Sequence, residues 1–440
     1  MHNVQIYRSA IYHCLHDPGA EATHKQAVEY YPDGLLIVEN GRVARLGPAA
    51  AQLPQLPADI AVTEFSDKLI VPGFIDSHTH YPQTDIIAAY GKQLLDWLND
   101  YTFPQEKKFA DAAYAREVAD FFIQQLFRHG TTTAVVMPTV HPQSVEAIFS
   151  AACERNMCLI SGKLMMDRHA PEYLLDTPET SYAESKKLLE KWHKQGRLHY
   201  AISPRFAPTS TDAQLAQAGL LARQYPDVYI HTHLAENKKE VAWVTRLFPQ
   251  SRSYLDVYDQ YDLLRERSLF AHGIYLSDAD LQRLHDSKAS IVFCPTSNLF
   301  LGSGLLDLQR LRDYGVSTAL GTDVGAGTSF SMLQTLNEAY KVQQLAGNSL
   351  SAHQGFYLAT LGSARALKLD HEVGNFERGK AADFTVLDYQ ATPLIQRRLQ
   401  AASNIEEILF TLMMLGDDRV VAATYVMGEC VYSAHSTLCN

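Results

Sequence analysis

The sequence lacks the features that mark several classes of protein. It contains six cysteines among 440 residues and no Cys-x-x-Cys pair, so we expect neither a disulfide framework nor a thiolate zinc site. No stretch approaches the ~20 apolar residues of a membrane helix. The N-terminus has no basic start followed by an apolar run, so it does not resemble a secretory signal. These absences predict free thiols in a soluble, cytoplasmic protein.

Basic residues are also fewer than acidic residues. The 38 Lys and Arg residues are outnumbered by 49 Asp and Glu residues, which leaves a net charge of −11. An acidic protein is a poor partner for nucleic acid or for an anionic membrane surface, so we expect neither. An apolar content of 46% with 20% charged residues is ordinary for a globular protein and is compatible with a small neutral substrate.

Both ends of the chain carry the pattern of β-strands. Asn40 and Gly41 stand between two apolar runs, which is the signal of a two-residue hairpin turn. Extended runs return at residues 382–387 and 420–432. We therefore expect residues 1–67 and 374–440 to form one small β-sandwich domain that the two termini complete together.

The segment between them, residues 68–373, has a different rhythm. Eight short apolar runs alternate with longer helical patterns, which predicts repeated βα units. Eight such units indicate an α/β fold of the (β/α)8 TIM-barrel type. A doubly wound open sheet is the alternative, but it would not need eight units. The predicted strands are 69–76, 131–137, 157–164, 198–203, 228–234, 268–272, 290–294 and 316–322.

Side chains that bind metals follow four of the predicted strands, at the C-terminal ends where such barrels place their active sites. They are His78 and His80 just after strand 1, His231 and His233 at the end of strand 5, His272 at the end of strand 6, and Asp323 just after strand 8. Alternate residues of a strand point to the same side, so His78 and His80 can face one ion. A third histidine and Asp323 would complete a set that suits one Zn²⁺, or Fe²⁺, per chain and leaves a position for water.

With these residues the chain resembles the amidohydrolase superfamily, in its branch of metal-dependent deaminases and chlorohydrolases. The segments that carry the resemblance are PGFIDSHTH (72–80), HLAE (233–236), AHG (271–273) and GTDVGAG (321–327). Further segments are similar to the guanine deaminase family: HTHYPQ (78–83), LLDWLNDYTFPQEKKF (94–109), SPRFAPT (203–209), HTHLAEN (231–237), VYD (257–259) and TSNLFLGSG (296–304). The resemblance spans nearly the whole chain.

The resemblance implies a role for each residue of the site. The implied metal ligands are His78, His80, His233 and Asp323. The implied catalytic residues are Glu236, His272 and Asp323. The family spacing H-x-x-E selects His233 with Glu236 as the pair on strand 5, so His231 is expected to be a packed, hydrogen-bonded histidine. Binuclear relatives use a carboxylated lysine from strand 4, and residues 198–203 contain no lysine, so we expect a single metal ion.

The same resemblance places Gln83, Arg205 and Phe206 at substrate-contacting positions. Arginine offers five donors and no acceptor, so Arg205 facing the guanine O6 would favour guanine and reject adenine. Gln83 offers a donor and an acceptor to a ring edge, and Phe206, Tyr81 and Trp97 could sandwich a flat base. A surface salt bridge is the alternative for Arg205, and a core position is the alternative for the aromatic side chains.

The implied reaction is the hydrolytic deamination of guanine to xanthine and ammonia by a metal-activated water. Asp323 would accept the proton of that water, and Glu236 would protonate the ring nitrogen and pass a proton to the leaving amine. The alternative is a deaminase or chlorohydrolase of another aminated heterocycle, of the adenine, cytosine, nucleoside or triazine type. A non-catalytic barrel is a further alternative, but every ligand position is filled.

Residues 94–109 are expected at the pocket rim or in a lid, and the family suggests a homodimer.

Overall fold

Two β-sheets organise the chain in the computed structural model, which describes residues 4–20, 25–57, 60–90 and 93–434. Within those residues the strands are β1 (Val4–Cys14), β2 (Val28–Glu39), β3 (Arg42–Pro48), β4 (Thr63–Pro72), β5 (Phe74–His80), β6 (Thr131–Met137), β7 (Cys158–Ser161), β8 (Leu164–Met165), β9 (Leu198–Pro204), β10 (Tyr229–Leu234), β11 (Ser268–His272), β12 (Ser290–Phe293), β13 (Ser317–Leu320), β14 (Phe384–Asp388), β15 (Val421–Val426) and β16 (Glu429–Ser433).

Helices connect the strands of the central region and close the C-terminal part. They are α1 (Ala49–Gln52), α2 (Leu94–Trp97), α3 (Phe103–Glu106), α4 (Ala112–Arg128), α5 (Pro142–Cys153), α6 (Pro178–Trp192), α7 (Asp212–Gln224), α8 (Lys238–Leu247), α9 (Tyr254–Asp259), α10 (Asp278–Ser287), α11 (Pro295–Phe300), α12 (Leu308–Asp313), α13 (Met332–Leu345), α14 (Ala352–Tyr357), α15 (Ser363–Ala366), α16 (Pro393–Gln400) and α17 (Ile405–Leu415). The longest, α4, begins at the predicted N-cap Asp111, whose side chain accepts from two backbone N–H groups.

The central strands form a parallel barrel. Their order is β5-β6-β7-β9-β10-β11-β12-β13, with the short β8 beside β9, and every pairing along it is parallel. Backbone hydrogen bonds join the two ends of this row: Asp323 N–H donates to His78 O at 2.8 Å, and His80 N–H donates to Val324 O at 2.6 Å. The barrel prediction is therefore confirmed, and the closing bonds lie where the predicted site lies.

Seven strands from both ends of the chain form the second sheet, in the order β16-β15-β14-β4-β1-β2-β3. The predicted hairpin is present, with positive φ of 51° at Asn40 and 77° at Gly41 between β2 and β3. A second sheet built from both termini is thus confirmed. The exact limits 1–67, 68–373 and 374–440 stay a prediction, and residues 1–3, 21–24, 58–59, 91–92 and 435–440 within them lie outside the described residues.

The first predicted barrel strand needs a correction. The run 69–76 is divided at Gly73, since its first half belongs to β4 of the second sheet and the barrel strand begins at Phe74. A Cβ atom on Gly73 would lie 2.1 Å from Thr132 Oγ1, so glycine lets the chain cross from one sheet to the other in close contact with β6. An unbroken apolar run conceals this crossing because both halves are buried.

A buried ion pair fastens the barrel to the second sheet. Arg197, beside β9, donates to both oxygens of Asp383, with Nη1–Oδ1 at 3.1 Å and Nη2–Oδ2 at 2.5 Å. Asp383 also accepts from the backbone N–H of Met427 at 2.9 Å. Replacing either partner would leave a buried charge without its counter-ion, so this contact stabilises the joint between the two sheets.

Two expectations from composition concern the state of the cysteines and the presence of membrane-spanning helices. Cys14, Cys153, Cys158 and Cys294 are free thiols, as expected, whereas Cys430 is disulfide-bonded, so the expectation is wrong for that residue. Among the described residues, no helix combines the length and the apolar character needed to cross a membrane.

Candidate metal centre and active site

The strand ends that carry the predicted site have an unusual backbone. Ala235 after β10, His272 at the end of β11 and Asp323 after β13 have φ angles of 49°, 74° and 54°. Residues other than glycine rarely adopt this left-handed backbone conformation, which costs about 1–3 kcal/mol for each residue. Such residues concentrate at functional sites. The surrounding packing therefore holds these three strand ends in conformations that the isolated chain would avoid.

Four potential ligand atoms converge at these strand ends. His78 Nε2 lies 3.2 Å from His80 Nε2 and 3.2 Å from Asp323 Oδ1. His80 Nε2 lies 3.3 Å from His233 Nε2 and 3.3 Å from the same Asp323 oxygen. A tetrahedral zinc site with bonds of about 2.0–2.1 Å separates its ligand atoms by about 3.3–3.4 Å. The donor set therefore fits one divalent metal ion.

The protonation of the histidines fits a metal as well. His233 Nδ1 donates to the carbonyl oxygen of Arg205 at 2.7 Å, so the lone pair of the neutral ring is on Nε2, which faces the cluster. Burial lowers the pKa of His80 to about 3 and brings the pKa of His233 well below its ordinary value. Both rings are thus neutral, which is the form that binds a metal.

His231 lies behind the cluster on β10 and is fully buried. Its Nε2 lies 2.8 Å from His78 Nδ1, with which it shares a hydrogen bond. If His78 is to bind a metal through Nε2, its Nδ1 must carry the proton and donate it to His231. His231 is therefore the packed, hydrogen-bonded histidine that the spacing predicted, and its partner is the predicted ligand itself.

Glu236 and His272 lie beside the four ligand atoms. Glu236 Oε1 accepts from Ser303 Oγ at 2.8 Å, and Glu236 Oε2 lies 3.5 Å from His272 Nε2. Asn298 Nδ2 donates to His272 Nδ1 at 2.9 Å, so the ring proton of neutral His272 is on Nε2. Burial, and after it the charge of Asp323, raises the pKa of Glu236 to about 8. This carboxyl group therefore takes up a proton far more readily than an exposed glutamate.

Glu240 holds the backbone of Glu236 in place. The Oε2 atom of Glu240 accepts from the backbone N–H of Glu236 at 2.9 Å and from that of Asn237 at 3.1 Å. Asn237 caps α8 in return, and the two side chains form a reciprocal capping box. Tyr254 donates to the other carboxylate oxygen at 2.7 Å, and burial raises the pKa of Glu240 to about 7.

A small cavity opens beside the cluster. It is lined by His80, Gln83, Leu94, Trp97, Leu98, Arg205, Phe206, His233, Glu236, Glu240, His272, Leu301, Asp323 and Ala326. Four of the five predicted substrate residues, Gln83, Arg205, Phe206 and Trp97, are among them. The predicted rim segment 94–109 supplies part of the apolar wall.

Tyr81 is the exception, and its predicted contact with substrate is corrected. Its hydroxyl group donates to Ser144 O at 2.6 Å, and its ring packs edge-to-face against Phe109 and Phe122. Tyr81 follows His80 at the start of a 3-10 turn and is directed into the core behind the site, where it is fully buried. Tyr81 is therefore not among the residues that line the cavity.

Arg205 is buried, so the alternative of a surface salt bridge is wrong. Its Nη1 donates to both oxygens of Glu106 at 2.8 Å, and its guanidinium carbon lies 5.7 Å from the centre of the Phe103 ring. Glu106 and Phe103 both belong to α3, within the rim segment. Burial raises the pKa of Glu106, and the charge of Arg205 acts against that rise.

Gln83 lies next to the same Glu106 carboxylate. Its Oε1 accepts from Gly325 N–H at 3.2 Å, and its side-chain amide neighbours Glu106 and acts to lower the pKa of that carboxyl group. A Cβ atom on Gly325 would lie 2.6 Å from the Gln83 carbonyl oxygen, so glycine lets the loop after β13 approach. The glycines at 325 and 327 thus serve close packing around the site.

Lys163 belongs to the predicted strand 157–164, one strand before the strand that would carry a carboxylated lysine. Its ammonium group pairs with Asp176 and lies 3.4 Å from Glu184 Oε2. Lys163, in the loop after β7, therefore holds the start of α6. Among the described residues, the His/Asp groups suited to a metal all belong to the cluster at the strand ends.

Four residues of the site were not identified singly from the sequence: Glu106, Glu240, Asn298 and Ser303. Glu106 lies in the segment 94–109, and Asn298 and Ser303 lie in 296–304, both of which carry the family resemblance. Only Glu240 had a signal of its own, because Asn237 followed by Glu240 is the spacing of a capping box.

The barrel, the second sheet and the cluster of three histidines and one aspartate define a metal-binding barrel of the amidohydrolase class. The model of the Amidohydrolase family matches residues 69–431, and the chain belongs to that family. Within it, the guanine deaminase of Escherichia coli (strain K12) is 54% identical over 406 residues, which is 92% of each of the two chains. The chain thus groups with the guanine deaminases.

Solved structures agree with this placement. The structure of E. coli guanine deaminase matches with a TM-score of 0.95 and 52% identity, over 98% of this chain and 100% of that one. A guanine deaminase from C. acetobutylicum, solved with guanine bound in its active site, matches with a TM-score of 0.88 and 28% identity over the same shares of the two chains.

Proposed function

We propose that this protein is an enzyme that converts guanine and water to xanthine and ammonia. The observation that carries the proposal is that three kinds of group line one cavity: three of the four candidate metal ligands (His80, His233 and Asp323), the buried carboxyl group of Glu236, and the donors of Arg205 and Gln83. The activity of the similar guanine deaminases supports it. The alternative substrates, other aminated heterocycles, become outcomes of the test below.

The residues that would hold the metal ion are His78, His80, His233 and Asp323. We take the ion to be Zn²⁺, with Fe²⁺ as the second candidate, because three imidazoles and one carboxylate suit both. When bound, such an ion supplies a water of lowered pKa that is nucleophilic near neutral pH.

The proton transfers fall to three side chains. Asp323 would bind the metal ion through Oδ1, the oxygen that lies among the histidine nitrogens. Its other oxygen, Oδ2, lies 3.8 Å from His272 Nε2 and would accept the proton of the water. A C–O bond would form at the guanine C2 while Glu236 gives its proton to the adjacent ring nitrogen. The ionised Glu236 would then take the proton of the new hydroxyl group and pass it to the amine, so that the C–N bond breaks and ammonia leaves. The proton held by Asp323 would return to Glu236 and restore the starting state. The Nε2–H of His272 faces both carboxylates and stabilises their charge.

The other wall of the cavity would bind the purine. The guanidinium group of Arg205 would donate to O6, and Gln83 would donate to the neighbouring edge. Phe206 lies near the cluster, with its ring centre 6.5 Å from that of His233, and Trp97 also lines the cavity. Together these aromatic side chains would flank a flat base.

The test is ammonia release from purified protein of known metal content, offered guanine, adenine, cytosine and 2-aminopurine in parallel. We expect xanthine from guanine alone, and loss of turnover on chelation. Glu236→Gln should lower the turnover of guanine by about 10²–10⁴-fold with the metal retained. Glu372→Gln, at an exposed ion pair with Arg42, is the matched control and should leave turnover unchanged. Turnover of another base in place of guanine would refute the substrate assignment.

Two further predictions concern the oligomeric state and the cellular location of the enzyme. We propose a homodimer, as in the family, which light scattering on the purified protein tests directly. We also propose a cytoplasmic location, which cell fractionation tests.

A further inference from the structure

Glu106 has an unusual position in this site. Its carboxylate is fully buried, yet it is not one of the residues that line the cavity. It lies behind the two side chains that would read the purine edge, and it contacts both of them. A buried carboxylate is costly to keep, so a role beyond filling space is worth testing.

The chemistry of a carboxylate restricts both neighbours, because an ionised carboxylate only accepts hydrogen bonds. The side-chain amide of Gln83 must turn its Nε2 toward Glu106, and its Oε1 then accepts from Gly325 N–H. The remaining proton on Nε2 is the hydrogen-bonding group that Gln83 can offer to the cavity most readily. Glu106 and the Gly325 N–H therefore favour the same orientation of this amide.

Arg205 is restricted in the same way. Both oxygens of Glu106 accept from Nη1 alone, which leaves the donors on Nε and Nη2 for a ligand. The ring of Phe103, one turn earlier in α3, lies against the guanidinium group and holds its plane. The guanidinium group is therefore oriented by two side chains of the rim segment.

We infer that Glu106 is a positioning residue that determines specificity: by accepting from Gln83 and Arg205 together, it makes the purine-binding edge of the cavity a row of donors. Such an edge selects a purine with an acceptor at C6 and rejects a purine with an amine there. The inference rests on the proposed function, since it assumes that this edge faces position 6 of a purine.

The experiment compares two probes that differ at that position. Hypoxanthine has a carbonyl at C6 and adenine has an amine there, and neither has the C2 amine that guanine loses. Calorimetry on the metal-loaded protein gives the dissociation constant of each without needing turnover. The quantity of interest is the ratio of the two constants in the wild type, in Glu106→Gln and in Glu106→Asp. Metal content and melting temperature are measured on every variant.

We expect the wild type to prefer hypoxanthine by about 100-fold or more. Glu106→Gln should reduce that preference by about tenfold or more, because an amide no longer dictates which groups face it. Glu106→Asp keeps the charge on a shorter side chain and should retain part of the preference. Asp383→Asn breaks another buried arginine–carboxylate pair, remote from the cavity, and should destabilise the protein while leaving the ratio unchanged.

An unchanged ratio in folded, metal-loaded Glu106→Gln would overturn the inference and leave Glu106 a purely structural role. If that variant does not fold, Glu106→Asp decides: its side chain cannot reach both partners, so a wild-type ratio would again overturn the inference. Failure of the proposed function gives a different result, namely a wild type that binds hypoxanthine and adenine equally and releases no ammonia from guanine.

Discussion

Replacing His231 should weaken metal binding although His231 is not a ligand. The perturbation is His231→Leu, which removes the acceptor that lies 2.8 Å from His78 Nδ1. In the metal-free protein, His78 can respond by moving its proton to Nε2. In the metal-bound protein Nε2 is occupied, so Nδ1 must keep its proton and would be buried without an acceptor. The penalty therefore falls on the bound state alone.

The size of the effect follows from the cost of that unpaired donor. A buried donor left without a partner costs about 1–3 kcal/mol, which corresponds to a loss of affinity of about 5- to 150-fold. Removal of hydrogen-bond partners of metal ligands in other proteins costs about 10- to 100-fold. We therefore expect the dissociation constant for Zn²⁺ to rise by about 10- to 100-fold in His231→Leu.

The assay is competition for Zn²⁺ against a chromophoric chelator, with the melting temperature as a check on folding. His231→Gln places an oxygen near the lost nitrogen, so it should recover most of the affinity. His199→Leu is the matched control, since His199 lies on β9 beside Tyr229 and contacts none of the four ligands. An affinity for Zn²⁺ in His231→Leu equal to that of the wild type would refute the reasoning.

Three more predictions test the metal, the joint between the sheets and a buried histidine. Chelation should lower the melting temperature, and added Zn²⁺ should raise it in a concentration-dependent manner; a melting temperature indifferent to Zn²⁺ would contradict the metal site. Asp383→Asn, which leaves Arg197 without its counter-ion, should reduce the free energy of unfolding in urea by about 3–5 kcal/mol, and a loss below about 1 kcal/mol would contradict the buried pair. Burial, and after it the charge of His193, lowers the pKa of His199 from 6.5 to about 4, so the unfolded chain binds the extra proton between these values. Stability should therefore rise with pH from about 4 to 6.5, and rise less steeply in His199→Gln; equal slopes in urea unfolding would argue against the buried, neutral ring.

The order of strands and helices could be predicted from the sequence because hydrophobic periodicity is local. Each of the eight predicted barrel runs overlaps a strand of the barrel, and Asn40-Gly41 forms the expected hairpin turn. The same locality explains the mistake at 69–76. Both sides of Gly73 are buried, so the pattern reports burial but not the sheet to which each half belongs.

The candidate ligands were also available from the sequence, since a (β/α)8 barrel brings the C-terminal ends of its strands together whatever lies between them. His78 and His80 share a strand, and the topology alone places them near His233 and Asp323. Tyr81 was misplaced because the pattern does not report where the strand ends and the next turn begins. One residue beyond His80, the side chain is directed into the core.

What the sequence determined by itself is the repeated βα rhythm, the second domain from both termini and the types of side chain at the strand ends. Only the tertiary structure decided the partners of those side chains. Glu106 precedes Arg205 by 99 residues, and Asn298 follows His272 by 26, so no local pattern relates them. Hydrogen bonds depend on distances of a few tenths of an ångström between separate elements, and the closure of the barrel sets those distances.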